Sequence, residues 1–141
     1  DDQGVHLEWT CVKSFQVGSG VSRKAVSCML LHLDVKTKEP LVLVGSRDHS
    51  IRGYNPRTWE QTLQLEQPEA VTALTMLAPP GYPPVLVSAC TNRCIYLWCL
   101  ATGALQHTLK GHTSSVTALA AMPDGRLLSA GGGGPAKLGH T

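Results

Sequence analysis

Three cysteines, Cys90, Cys94 and Cys99, fall in a Cys-x3-Cys-x4-Cys run, and the chain carries six histidines. Thiolates and imidazoles are the ligands that zinc and other soft cations take, so metal chemistry is the first to test. The spacing matches neither zinc-ribbon nor zinc-finger patterns. The three cysteines also lie in two β-prone runs joined by a turn, where facing alternates residue by residue. His6-x-Glu8 resembles half of a zinc-deaminase signature but lacks its Pro-Cys-x-x-Cys partner. The glycines Gly131 to Gly134, followed by Pro135, Ala136 and Lys137, have the composition of a phosphate loop. They lack the Gly-Lys-Ser/Thr ending and a helix to follow. No Gly-x-Ser-x-Gly elbow occurs, and no acid pair stands as in a glycosidase. The residues therefore predict no catalytic group, no metal and no cofactor, and a chain that is not an enzyme.

The remaining chemistry is recognition, and a repeat places it. Val26, Val71 and Val116 each open a similar apolar run and stand 45 residues apart. A second series aligns Leu43–Pro56 with Val87–Leu100, setting Ile51 against Ile95 and Tyr54 against Trp98. Such a period is that of a repeat architecture. Within one period four short runs, VTALTML, PVLVSAC, CIYLWC and LQHTL, are rich in β-formers. Turn signals separate them at Pro79-Pro80-Gly81, Thr91-Asn92-Arg93 and Thr102-Gly103. Proline and glycine recur too often for a long helical stripe.

Gly111-His112 ahead of a Val-Thr-Ala-Leu strand, with LVGSRDHSIRGY and VSACTNRCIYLWC at constant spacing, resembles the WD40-repeat family. The resemblance implies an all-β chain of β-propeller blades, each of four antiparallel strands, in an incomplete ring of about three blades. Residues 1–24 read as the end of a preceding blade and a crossing loop. Residues 25–69 and 70–114 read as repeats, and 115–141 as a truncated or altered repeat with a Gly-rich tail. The family's buried hydrogen-bond network of His, Ser/Thr, Asp and Trp has counterparts in Ser88, Trp98, His112 and Ser129. Every copy departs from the pattern: Val44 and Tyr54 replace Ser and Trp in the first repeat, and Gln67 and Asn92 replace His and Asp in the second. The network is accordingly expected to be lost.

By the same resemblance, the turns between second and third strands lie on a partner-facing surface. They supply Arg47, Asp48 and His49, then Asn92 and Arg93. The two arginines suit an acidic motif. Trp59, in the connection at the opposite end, is an aromatic that could anchor a partner. The function implied is a protein–protein interaction scaffold within a larger protein or complex. The alternatives are an RNA-binding propeller and the substrate-recognition part of a larger enzyme such as a ubiquitin ligase.

Composition agrees with a packed domain. The 141 residues are 43% apolar and 16% charged, and the net charge is only +2. Lysine and arginine are scattered, so nucleic acid is not expected as a partner. No run is long enough to span a membrane. Five cysteines, an odd number, read as free thiols and predict an intracellular setting, cytoplasm or nucleus. Cys90 and Cys94 could still face one another across a hairpin. A blade cannot bury both of its faces alone, so further blades or self-association are expected.

Overall fold

The computed structural model describes residues 25–34, 38–78 and 82–131, and the backbone of a last strand at Lys137–His140. The proposed strand before residue 25, the Pro79–Gly81 turn and most of the glycine run lie outside the described residues. Three antiparallel sheets follow one another along the chain. The first runs β1 (Val26–Leu33), β2 (Pro40–Ser46), β3 (Ser50–Tyr54), β4 (Gln61–Glu66), in that spatial order. The second repeats it with β5 (Val71–Leu77), β6 (Val85–Cys90), β7 (Ile95–Cys99) and β8 (Leu105–Leu109). The third has three strands, β9 (Val116–Ala121), β10 (Arg126–Gly131) and β11 (Lys137–His140). Neighbours in sequence pair throughout, so short turns suffice and each sheet is a meander.

Alternation along the strands explains how the sheets stack. In β6 and β7, Leu86, Cys90, Tyr96 and Trp98 point to the first sheet and meet Leu43, Ile51 and Leu65. The intervening Val87, Ala89, Ile95 and Leu97 point the other way and meet Val116 and Leu127. The second sheet is therefore apolar on both faces, and its two central strands are almost wholly buried. Each fully buried Leu or Ile adds about 1.5–3 kcal/mol relative to exposure.

The outer flanks look different. On β1, Met29, Leu31 and Leu33 are 64%, 68% and 55% exposed, and Leu128 on β10 is 38% exposed. Val44 and Tyr54 on the first sheet's outward face are nonetheless buried.

The first strands of successive sheets lie side by side: β1 against β5, and β5 against β9. A hydroxyl stitches each junction. Ser27 Oγ donates to the Val71 carbonyl, and Thr72 Oγ1 donates to the Val116 carbonyl. Each hydroxyl follows a repeat valine and reaches the next repeat valine, so the 45-residue period is a period of contact. Gly45 permits the approach: a Cβ there would stand 2.5 Å from Val71 Cγ1 and 2.6 Å from Cys28 Sγ.

Candidate interaction surface

The β2–β3 and β6–β7 turns emerge at one end of the sheets, and side chains rather than glycines shape them. In the first turn Ser46 Oγ accepts the Asp48 N–H (3.2 Å), and Asp48 Oδ1 accepts the Ser50 N–H (3.0 Å) and the Ser50 hydroxyl. Asp48 Oδ2 accepts Arg52 Nη1 at 3.0 Å. Burial opposes ionisation of Asp48, but the hydrogen bonds from Ser50 and Arg52 outweigh it and hold the carboxyl below its ordinary range. In the second turn Asn92 Oδ1 accepts the Cys94 N–H (3.1 Å) while Asn92 Nδ2 donates to the Tyr96 hydroxyl (2.7 Å). Asp48 and Asn92 thus direct their polar atoms into their own turns.

What the turns present outward is Arg47, His49, Thr91 and Arg93, all exposed. His49 and Arg93 sit at φ 74° and 73°, a left-handed conformation unfavourable to residues with a Cβ. The first two repeats thus place a basic or imidazole side chain where glycine would cost least. Glu69 and Thr113, in the connections between sheets, are exposed at this same end. Trp59 is not among them. It lies half-buried in the β3–β4 connection at the other end, at φ 62°, its N–H donating to the Asn55 carbonyl (2.6 Å).

Beneath the second turn lies a buried network. Ser88 Oγ donates to Gln67 Oε1 (2.9 Å) and accepts Trp98 Nε1–H (2.9 Å), and Gln67 Nε2 donates to the carbonyls of Glu69 and Ala89. Gln67, which stands where the family has histidine, supplies the acceptor for Ser88 and a tie to β6. Its amide carries both a donor and an acceptor, as a neutral imidazole does, and that was the available signal. In the third sheet His112 Nε2 lies 2.8 Å from Ser129 Oγ. In the first sheet Val44 and Tyr54 stand at the two positions and share a buried cluster.

The cysteines do not converge. Cys90 packs toward the first sheet, whereas Cys99 shares the opposite face with Leu97 and His107. Cys28, Cys90, Cys94 and Cys99 are free thiols, so Cys90 and Cys94 form no bridge. Burial pushes the Cys28 and Cys90 thiols up, which keeps them protonated. Among the described residues no three His, Cys, Asp or Glu side chains are placed to hold a metal ion, and no helix is long and apolar enough to cross a membrane.

Four-stranded meanders stacked face to face through their first strands define the blades of a β-propeller, here an open one. A family model described as "WD domain, G-beta repeat" matches residues 103–134. That stretch is similar to a WD40 repeat and contains both His112 and Ser129. Among solved structures, the computationally designed Ika8 protein is similar, with a TM-score of 0.65 and 23% identity over 81% of this chain. This chain spans 32% of that one, and at this identity the likeness concerns the fold alone. No curated protein matches the sequence.

Proposed function

We propose that the chain is a protein-docking platform whose working surface is formed by the β2–β3 and β6–β7 turns. The observation that carries this reading is the pair of left-handed residues, His49 and Arg93, on turns locked by Asp48 and Asn92. Strain that a glycine would relieve is kept, and what it positions is an exposed cationic or imidazole side chain. Arg47 and Arg93 suit carboxylates or phosphates on a partner segment, and rigid turns lower the entropic cost of binding. The WD40 repeat supports docking over catalysis. The exposed apolar flanks at Met29–Leu33 and Leu128 support cover by further blades of a larger protein or by a second copy. Four free thiols support a reducing, intracellular setting.

The test is a peptide array of acidic and charge-neutral segments, read with the full chain and with an Arg47→Glu, Arg93→Glu variant. Acidic segments should bind the unmodified chain and lose about tenfold in affinity on the variant, the worth of roughly 1.4 kcal/mol. Equal binding to both chains, or no preference for acidic segments, refutes the assignment of this surface. An RNA oligomer that competes with every peptide would favour the nucleic-acid reading instead.

A further inference from the structure

Both ends of the β6–β7 turn are cysteines. The strands pair Ala89 with Ile95, and the next residues inward, Cys90 and Cys94, flank Thr91-Asn92-Arg93. The Arg93 N–H donates to the Cys90 carbonyl (3.3 Å), which closes the turn with the two cysteines opposite each other. Opposed residues of an antiparallel pair hold their Cα atoms about 4.5–5.5 Å apart, inside the span of about 4.4–6.8 Å that a disulfide takes. Both cysteines also lie on one face of the sheet, in the cluster with Tyr96 and Trp98. Burial raises the Tyr96 hydroxyl above its ordinary range, and both cysteines add to that, which puts the two sulfurs near one oxygen.

The first blade shows how side chains at these positions are directed. Their counterparts, 44 residues earlier, are Ser46 and Ser50, and both hydroxyls reach Asp48. Ser46 Oγ accepts the Asp48 N–H (3.2 Å), and Ser50 Oγ donates to Asp48 Oδ1. Side chains at this pair of positions therefore converge under the turn. In the second blade, what converges is a pair of free thiols. The two differ in access: Cys90 is fully buried, whereas Cys94 is half-buried. An oxidant therefore meets Cys94 first.

We propose that Cys90 and Cys94 are a site of reversible oxidation, closing into a disulfide across the β6–β7 hairpin when a peroxide reaches them. The Cys94 sulfur attacks one peroxide oxygen, the O–O bond breaks, and Cys94 becomes a sulfenic acid with release of water. The Cys90 sulfur then attacks the Cys94 sulfur and displaces its hydroxyl, which leaves as water with the Cys90 proton. In sum two thiols lose two electrons and two protons, and one peroxide becomes two waters. A small thiol reverses the bond by exchange. The site stands whether or not the turn docks a partner, because the experiment reads the bond itself.

The full chain is treated with a small excess of hydrogen peroxide, alkylated with iodoacetamide and mapped by mass spectrometry. It should lose two alkylatable thiols and two hydrogens of mass. Trypsin, which cuts after Arg93, should leave the Cys90 and Cys94 peptides joined until dithiothreitol parts them. Cys90→Ser and Cys94→Ser copy Ser46 and Ser50 of the first blade, so both should keep the fold. In Cys90→Ser, Cys94 should instead accumulate as a sulfenic acid that dimedone traps; in Cys94→Ser, Cys90 should stay reduced. Titrated against the glutathione couple, the bridge should form about tenfold more readily in the native chain than in urea, because the fold already sets the two residues opposite each other. A bridge no better formed than in urea, bridging of Cys28 or Cys99 at the same rate, or Cys94 oxidised alike with and without Cys90 overturns the proposal.

Discussion

Replacing Ser88 by alanine removes one oxygen and strands two groups. Ser88 is fully buried, and its hydroxyl both donates to Gln67 Oε1 and accepts Trp98 Nε1–H at 2.9 Å. Trp98 and Gln67 are 7% and 6% exposed, so water cannot readily take the hydroxyl's place. An unsatisfied buried polar group costs about 1–3 kcal/mol. Gln67 keeps its Nε2 contacts to Glu69 and Ala89, so the indole N–H bears the larger share. The expected loss is about 3 kcal/mol. With a urea slope of about 2 kcal/mol/M, the unfolding midpoint falls by about 1.5 M.

Equilibrium urea unfolding followed by fluorescence and far-ultraviolet dichroism measures that shift. A second background separates the hydrogen bonds from simple loss of volume. In Trp98→Phe the orphaned donor is already gone, so adding Ser88→Ala there should cost only about 1 kcal/mol. The difference, about 2 kcal/mol, is the coupling between the two residues. If Ser88→Ala costs under about 0.5 kcal/mol, or the same in both backgrounds, the network does not stabilise the blade.

Gly45→Ala should destabilise by about 2 kcal/mol, because its new methyl meets Val71 and Cys28 within 2.6 Å, and a further Cys28→Ala should restore part of the loss in the same urea assay. Asp48 has a folded pKa below its unfolded value, so its contribution is complete above about pH 3.9 and is lost as pH falls through the lower folded value. Urea midpoints at pH 5 and pH 2.5 should therefore differ less for Asp48→Asn than for the unmodified chain. Met29→Lys with Leu31→Lys, at positions 64% and 68% exposed, should leave the melting temperature nearly unchanged and reduce self-association in sedimentation velocity. In the third blade His112→Gln, which copies the residue at position 67, should cost less than His112→Ala by about 1 kcal/mol, since only the amide can still meet Ser129.

The repeat was legible because the same contact recurs along it. Val26, Val71 and Val116 stand at the blade junctions, and the hydroxyls of Ser27 and Thr72 reach the next valine's carbonyl. A sequence period is visible when every copy answers the same packing demand. The turns were legible for a similar reason: Asp48 and Asn92 are residues whose side chains satisfy the backbone two positions on. What these residues do there was harder to see. A turn acid reads equally as a contact or as a brace, and only the hydrogen bonds to Ser50 and Arg52 decide for the brace. Which side chains meet at the far ends of the strands had no signature, because His32, Glu39, Asn55 and Leu100 come together there across four separate strand ends.

Departures from the family pattern were the least legible, and they show what the fold requires. A pattern of residue types treats Gln67 and Val44 as losses. The blade instead needs each buried donor matched by an acceptor, and it reaches that balance in more than one way. Gln67 presents an amide oxygen to Ser88, and so keeps the Trp98 indole satisfied through the serine. The first blade has Val44 where the second has Ser88 and packs it in one buried cluster with Tyr54. A buried donor left without an acceptor costs far more than one matched by a different residue, so a blade can stay internally consistent without keeping the full motif. The family model matches 103–134, where a histidine and a serine are retained, while the most deeply buried blade is Val71–Leu109. Motif strength follows residue identity; burial follows having a neighbour on each face, and among the described residues the middle blade is packed between two others.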